Sequence, residues 1–270
     1  MFLLPTHSDE EPKILNSLQR PYKSALRKRL PKCTHKNVEN IDIGYDFVTD
    51  MLVLEFFLDD EKINVNRKNN PWLGRAAQSL AEALRLAVSK ELDIEFTELV
   101  AGYRLRTSGD QSFVDIYLYD NLSSGAGYAV GIEDKLTELL DSAAHILGNC
   151  SCDGACYSCL KHYRNRYIHG VLNRFAALDL LRWGRQGTLA PSFRVEEQMR
   201  CLTPVLPILT RMHRRVEIMQ DGIEIHNEMS EKTTNLVIYP AMWVCPVLEG
   251  KIFVSDAYLA CARPYAVDWI

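Results

Sequence analysis

The sequence has no excess of charge of either sign and no long apolar run. Its 270 residues carry a net charge of -4, so the molecule as a whole is not a basic nucleic-acid binder. Any such role must rest on a local patch of cations. No apolar run reaches the roughly 18 residues that a membrane-spanning helix needs, which excludes a helical membrane anchor from this sequence.

Signatures of nucleotide and nucleic-acid hydrolysis are also missing. No glycine-rich segment ends in Gly-Lys followed by Ser or Thr, the phosphate-binding loop that a nucleotide-hydrolysing motor requires. A metal-dependent nuclease is the main enzymatic alternative, because carboxylates and a lysine gather near a predicted strand. The triplet Glu-x-Lys of that class is not formed at Glu55, which is followed by two phenylalanines. The nuclease candidates are Asp50, Glu55, Asp59, Glu61 and Lys62.

A glycine-rich stretch runs from Asp120 to Tyr128. Gly125 and Gly127 allow backbone amides to approach a ligand closely, as in a phosphate-binding cradle. The stretch lacks the lysine of such a cradle, and a tight strand-to-helix turn is the other interpretation.

What the sequence does contain is eight cysteines, four of them within a segment of ten residues. Cys150, Cys152, Cys156 and Cys159 follow the spacing C-x-C-x3-C-x2-C. Short thiolate pairs are typical ligands of tetrahedral zinc, because a tight turn aims two sulfurs at one ion. We therefore predict a four-cysteine zinc site. Four protein ligands leave no open position, so the predicted zinc is structural rather than catalytic.

Other interpretations of the cysteine cluster stay open. The thiols could pack as small buried side chains or form disulfides. His162 or His169 could replace Cys150, since three cysteines and one histidine hold zinc equally well. Clustered metal-ligating thiols suit a reducing compartment better than a secreted disulfide scaffold, so we expect a cytoplasmic protein.

The run from Cys150 to Arg174 resembles a known family. It reads CSCDGACYSCLKHYRNRYIHGVLNR, which is similar to the string C-x-C, C-Y-x-C-L, Y-x-N, H, L-x-R of a zinc-binding domain. That domain lies at the C-terminus of mitomycin-repair-type (MrfA-like) superfamily 2 helicases. It is also found in antiphage defence proteins of the DISARM DrmB-like and Druantia helicase-like types. Thr49–Leu52 and Tyr119–Tyr128 resemble further family motifs, so the resemblance covers about residues 40 to 185.

The resemblance implies a non-catalytic, zinc-binding accessory module of an antiphage defence or DNA-repair complex. Such a module would bind DNA or another nucleic acid, dock a helicase or ATPase subunit, or do both. Two alternatives belong to different classes: a metal-dependent nuclease, and a protein-protein adaptor without nucleic-acid contact.

A basic and aromatic segment follows the last clustered cysteine. Cations neutralise phosphates and exposed rings stack on unpaired bases, so this segment is the predicted nucleic-acid-binding surface. In the alternative interpretation, Tyr163, Tyr167 and His169 pack the zinc knuckle and the charges are only solvated. The predicted nucleic-acid-binding residues are Lys161, Tyr163, Arg164, Arg166, Tyr167, His169 and Arg174.

The hydrophobic pattern predicts an α+β fold, with a mixed sheet packed against helices. Apolar residues at helical spacing indicate three helices, and alternating or β-branched runs indicate three strands. The zinc knuckle falls between the second and third helices, and Gly184 is predicted to cap the third. The predicted helices span 72–92, 131–147 and 171–183, and the predicted strands span 47–58, 94–105 and 113–119.

Three parts are predicted along the chain. A basic N-terminal extension precedes a helicase-associated zinc-binding domain, and a small β-rich C-terminal module follows. In that module Asp221-Gly222 favours a hairpin turn, and a further strand is predicted over 242–247. The predicted bounds of the three parts are 1–40, 41–188 and 194–270.

Overall fold

The computed structural model describes residues 2–5, 38–41, 47–65, 71–188, 193–220 and 222–261. The chain divides into two units, Met1–Phe47 and Val48–Ile270. In the first unit, β1 (Phe2–Pro5) pairs antiparallel with β2 (Val38–Ile41). The remainder of the predicted basic extension lies outside the described residues.

A three-stranded antiparallel sheet opens the second unit. Its strands are β3 (Met51–Leu58), β4 (Leu99–Ser108) and β5 (Gln111–Asp120), and their order is β3-β5-β4. On the central strand, Val114, Ile116 and Leu118 are buried at alternate positions. Successive strand side chains point to opposite faces, so these three mark the face that packs against helices.

Helix α1 (Pro71–Glu91) covers that face, and α2 (Leu136–Gly148) and α3 (Arg174–Gln186) pack against α1. They contact one another, and α1 also contacts β4 and β5. Its alanines, such as Ala76 and Ala83, are fully buried, and small side chains allow close helix packing. A short 3-10 helix, Val130–Lys135, leads into α2. No helix of the described part of the chain is long and apolar enough to cross a membrane.

The third helix has the predicted length but lies three residues further along the chain. It passes through Gly184 and ends at Gln186, and the residue that caps it, Gly187, adopts the left-handed conformation with φ 62°. The predicted cap at Gly184 is therefore wrong. Gly184 instead lies against Phe56, and a Cβ atom there would be 2.1 Å from the phenyl ring. The missing side chain allows close contact between α3 and the sheet.

The C-terminal module begins with α4 (Val195–Leu202) and α5 (Leu206–Arg211), separated by the 3-10 turn Thr203–Val205. A four-stranded sheet of order β6-β7-β8-β9 follows, and α6 (Asp256–Cys261) comes last. Only β8 and β9 are parallel, so this second sheet is the mixed one. The strands are β6 (Arg214–Met219), β7 (Gly222–Asn227), β8 (Lys232–Tyr239) and β9 (Lys251–Ser255).

The hairpin predicted in this module is confirmed, since β6 and β7 pair directly across the turn. The strand predicted over 242–247 is wrong. That segment is irregular, and Trp243 forms an isolated bridge with Ile63 of the zinc-binding region. Pro246 has no amide hydrogen to donate to a ladder, which disfavours a strand there.

Two hydrophobic clusters are present, one under the three helices and one between α4, α5 and the second sheet. The predicted α+β fold, with the cysteine knuckle between helices and a β-rich module at the end, is confirmed. The boundary between 188 and 194 stays a prediction, because Val48–Ile270 form one unit.

Candidate metal centre

The four clustered cysteines lie in the connection from α2 to α3. Cys159 is buried, and the other three are partly buried against the main hydrophobic cluster. Leu160, next to Cys159, is fully buried and anchors the segment in the core. The knuckle is therefore attached to the helices through packing on one side.

The sulfur positions fit a tetrahedral metal. The Sγ atoms of Cys150 and Cys156 are 3.5 Å apart, those of Cys152 and Cys159 3.7 Å, and those of Cys156 and Cys159 3.8 Å. All four lie within 4.8 Å of one another. A tetrahedron with zinc–sulfur bonds of about 2.3 Å has edges of about 3.8 Å, so one zinc ion fits among these sulfurs.

Backbone amides support the thiolate state of two ligands. The Ser158 amide donates to Sγ of Cys156 at 3.4 Å, and the Cys156 amide donates to Sγ of Cys159 at 3.2 Å. The Ser158 amide is the main cause that lowers the pKa of Cys156 to about 6. Burial raises the pKa of Cys159 to about 12. Zinc binds deprotonated thiols, and the positive charge of the bound ion favours that form.

Neither neighbouring histidine belongs to the group formed by the four sulfurs. His162 Nδ1 accepts from the Arg164 amide at 3.2 Å, and it caps the 3-10 helix Tyr163–Ile168. His169 Nε2 lies 3.0 Å from the His162 carbonyl and 2.9 Å from Oδ1 of Asn165. Among the described residues, the sulfur-containing group that can hold a metal consists of the four cysteines alone. The geometry therefore favours the four cysteines over a ligand set that includes a histidine.

Arg174 braces the knuckle from inside. It is only 6% exposed, its Nε donates to the Cys152 carbonyl at 2.9 Å, and its Nη1 donates to the Leu147 carbonyl at 2.8 Å. Its amide also donates to the Gly154 carbonyl at 2.8 Å. The prediction that Arg174 contacts nucleic acid is therefore corrected. Its guanidinium satisfies carbonyls that the loop leaves without partners.

A buried polar network joins the segment after the knuckle to α1. Asn165, fully buried, donates from Nδ2 to Glu82 at 2.8 Å and to the Leu160 carbonyl at 2.9 Å. Burial raises the pKa of Glu82, and Arg85 lies beside it at 3.8 Å. Glu82 and Arg85 were not predicted from the sequence as partners of this segment. The sequence feature that could have revealed them is the presence of two charged residues on the otherwise apolar face of α1.

The side chains of the basic and aromatic segment fall into two groups. Tyr163 and Tyr167 are 66% and 79% exposed, and Arg164 and Arg166 are exposed as well. Arg166 donates to the Tyr163 hydroxyl at 3.1 Å and lies 4.9 Å from the centre of its ring. We call these four side chains the tyrosine–arginine surface. Lys161 is half-buried beside it, whereas His169 points inward to Asn165, as the packing interpretation predicts.

The glycine-rich stretch is a turn around a buried carboxylate. Asp120 accepts from the amides of Ala126 at 2.6 Å, Tyr128 at 3.1 Å and Ala129 at 2.9 Å. Gly125 and Gly127 have φ of 75° and 81°, which the turn requires. The amides that a phosphate would need are thus occupied, and the tight-turn interpretation holds.

The residues predicted as nuclease candidates do not gather into one metal-binding group. Asp59 pairs with Lys62 at 2.9 Å, and Glu55 pairs with Arg106. In the part of the chain that the structure describes, neither carboxylate belongs to a group able to hold a metal. The geometry gives no support to a nuclease site on β3.

Comparison with known proteins identifies the region around the cysteines. The sequence model of the MrfA Zn-binding domain matches residues 80–160, a span that includes all four clustered cysteines. The chain carries an MrfA-like zinc-binding domain. Its four-cysteine cluster is consistent with structural zinc. The tyrosine–arginine surface begins just beyond the matched residues.

A curated relative is the Druantia protein DruE of Escherichia coli (strain UMEA 4076-1). It is 31% identical over 214 residues, which make up 76% of this chain and 11% of DruE. The chain thus corresponds to a small part of that protein. Two crystal structures of the DUF1998 helicase MrfA are also similar, one bound to DNA and one to DNA and AMPPNP. The DNA complex is 14% identical with a TM-score of 0.34, and the match covers 53% of this chain and 26% of that one. The complex with DNA and AMPPNP is 16% identical with a TM-score of 0.37, and the match covers 56% of this chain and 18% of that one.

Proposed function

We propose that this chain provides a non-catalytic nucleic-acid-contacting module of a helicase-type defence or repair machine. The MrfA-like domain and the likeness to DruE support placing it in such a machine. Because the chain corresponds to 11% of DruE, we further propose that a helicase or ATPase domain or subunit acts as its partner. The nucleic acid is DNA, and the contact is made through the tyrosine–arginine surface.

The observation that carries the proposal is the exposure of two tyrosine rings among cations. Tyr163 and Tyr167 are 66% and 79% exposed, although burial of a tyrosine ring is normally favourable. They occupy positions four apart on one short helix, together with the exposed Arg164 and Arg166. Rings stack on unpaired bases while guanidinium groups bind phosphates, which is the combination that single strands require.

The surface is also held in place before any ligand arrives. Asn165 lies in the middle of the same short helix and is hydrogen-bonded to Glu82 inside the core. The zinc site fixes the chain immediately before it. Groups that are already ordered lose less conformational entropy on binding, so the exposed side chains gain affinity from this support.

Charge reversal tests the phosphate contacts. We expect the Arg164→Glu/Arg166→Glu double variant to bind single-stranded oligothymidylate at least about tenfold more weakly by fluorescence anisotropy. The slope of affinity against salt should fall by about 1.4, since each lost contact to a single strand removes about 0.7. The matched control is Arg211→Glu/Lys232→Glu, which reverses two exposed cations in the C-terminal module.

Truncation of the rings tests base stacking. Tyr163→Ala and Tyr167→Ala should each cost about 1–3 kcal/mol of binding free energy and leave the salt slope unchanged. The DNA-binding proposal fails if the affinity for DNA is unchanged by added salt, by charge reversal and by truncation of the rings. A protein-docking role would then take its place.

A further inference from the structure

A second group of metal-ligating side chains lies far along the sequence from the cysteines, on the sheet of the C-terminal module. Ile223 and Ile225 of β7 are buried, so the alternate residues Glu224 and His226 point to the opposite, outer face. Glu217 lies directly opposite Glu224 on β6. The three side chains therefore meet on one face of a hairpin.

This arrangement places two carboxylates side by side. Like charges directly opposite one another on neighbouring strands are destabilising unless something lies between them. Here the imidazole lies between them: Nε2 of His226 is 3.5 Å from Oε2 of Glu217 and 3.6 Å from Oε2 of Glu224. Those distances are too long for good hydrogen bonds.

The same nitrogen has no hydrogen-bond partner and is shielded from solvent, although the ring as a whole is one-third exposed. The other ring nitrogen, Nδ1, lies 2.9 Å from the Thr233 hydroxyl on β8. If Nδ1 donates its proton to that hydroxyl, Nε2 keeps a free lone pair that points at two carboxylates. A histidine that binds a metal shows this pattern, with its second nitrogen held by a hydrogen bond.

The spacing suits a small divalent cation. Metal–nitrogen and metal–oxygen bonds of about 2.0–2.2 Å in tetrahedral geometry separate the donor atoms by about 3.4 Å. The observed 3.5 and 3.6 Å differ from this by a few tenths of an ångström, and the three donor atoms all lie within 4.8 Å of one another.

We propose that Glu217, Glu224 and His226 form a second metal site, for a divalent first-row transition cation such as zinc. The cation replaces the missing partner of His226 Nε2 and neutralises the cross-strand carboxylate pair. Three protein donors leave coordination positions open, so this site exchanges its metal, unlike the closed four-cysteine site.

Arg215 sets the affinity of this site. It lies opposite His226 on β6 and forms an ion pair with the Oε1 atom of Glu217. A cation and the guanidinium then compete for the same carboxylate. Removal of the guanidinium should strengthen metal binding, whereas it would only weaken a cluster built from ion pairs alone.

The test uses the full chain with zinc in the cysteine site and free metal removed. Cobalt(II) is titrated by calorimetry and absorption, and we expect one further equivalent without a thiolate-to-cobalt charge-transfer band. His226→Asn and Glu224→Gln should each abolish that equivalent. Thr233→Val should weaken it by about tenfold, the usual effect of losing a hydrogen bond to a ligating histidine. Arg215→Gln should bind cobalt more tightly.

The matched control is His213→Asn, at an exposed histidine of the same module, which should bind cobalt as the wild type does. Melting curves of each variant separate lost binding from lost folding, and Glu224→Gln serves where His226→Asn does not fold. The proposal is overturned if the wild type takes up no further equivalent, if both site variants retain it, or if the control loses it as well.

Discussion

The zinc-binding region, from β3 to α3, and the C-terminal module, from α4 to α6, each pack helices against a sheet. The two differ in how their backbone N–H and C=O groups find hydrogen-bond partners. The region around the cysteines has a long connection, from Asn149 to Asn173, in which the regular structure is a single 3-10 helix. That connection depends on zinc, on the Arg174 guanidinium and on Asn165. In the C-terminal module, β6, β7 and β8 follow one another through tight turns, so the strands satisfy one another directly.

The module needs little buried polar support. Gln198 is its buried polar residue among those described, donating to the Phe193 carbonyl at 3.0 Å and accepting from the Ile238 amide at 2.8 Å. The irregular segment around the cysteines is thus ordered by a few strong, specific interactions. A hairpin sheet is ordered by many weak ones. Loss of a single group should therefore be far more harmful in the zinc-binding region.

The largest expected effect is the loss of zinc. Cys156→Ser should unfold the zinc-binding region, because structural zinc contributes on the order of 10 kcal/mol to folding in small zinc domains. Calorimetry combined with elemental analysis should show lost zinc and a lost main transition. The control is Cys245→Ser, at an exposed thiol of the C-terminal module, which should melt normally. A normal melting curve for Cys156→Ser would contradict the zinc assignment.

The next largest effect should come from Arg174. Arg174→Met leaves the carbonyls of Cys152 and Leu147 without their charged donor, at a cost of about 3 kcal/mol in unfolding free energy. Chemical denaturation measures this value. Arg164→Met, at an exposed arginine nearby, should cost less than about 0.5 kcal/mol. Equal effects at the two arginines would mean that Arg174 does not brace the knuckle.

A smaller effect is expected where the two regions meet. Burial, with Asp256 of α6 nearby, raises the pKa of Asp179 on α3 to about 8. Because the native pKa of Asp179 lies above the usual value of 3.8, the fold is most stable below pH 3.8. Its free energy of unfolding then falls as the pH rises from 3.8 through 8. Asp179→Asn stays neutral, so it should be more stable than the wild type at pH 9, by roughly 2 kcal/mol.

Denaturation at pH 5 and at pH 9 checks this expectation. The control is Asp141→Asn, at an exposed aspartate that pairs with Arg185. It should leave the pH profile unchanged. If Asp179→Asn also keeps the wild-type profile, the buried carboxyl does not govern the contact between the regions.

The smallest effect on stability should follow changes to the tyrosine–arginine surface. Arg164→Glu/Arg166→Glu should shift the unfolding free energy by no more than about 0.5 kcal/mol, because both side chains are exposed and outside the core. The same variant should bind DNA weakly. A large loss of stability would show that these arginines support the fold, and the binding experiment would then need the tyrosine variants alone.

Local patterns predicted much of this molecule. The spacing of the four cysteines indicated the metal site, and the apolar stripes indicated α1, α2 and α3. The turn at Asp221-Gly222 indicated the β6–β7 hairpin. These features depend on residues that are close in the chain, so their periodicity and turn chemistry are visible without a structure.

The predictions that proved wrong concern residues whose role depends on a contact with a residue far away in the sequence. Gly184 looks like a helix cap, yet Phe56 of β3 requires a glycine within the last turn of α3. Arg174 looks like one more cation of a basic run, yet the carbonyls of Leu147 and Cys152 draw it inside. The strand predicted over 242–247 failed for the same reason, since Trp243 pairs with Ile63 rather than within a sheet.

The four clustered cysteines could be recognised as ligands of one zinc ion without a structure, because they lie within ten consecutive residues. Which of the following cations face solvent depends on contacts with α1 and α2, so it became visible only in the folded chain. Folding also brought Glu217, Glu224 and His226 together, because strand register is set across the whole sheet. Ligands that are close in the sequence are brought together by the chain itself. The exposure of a side chain, and contacts between residues on different strands, are set only when the chain has folded.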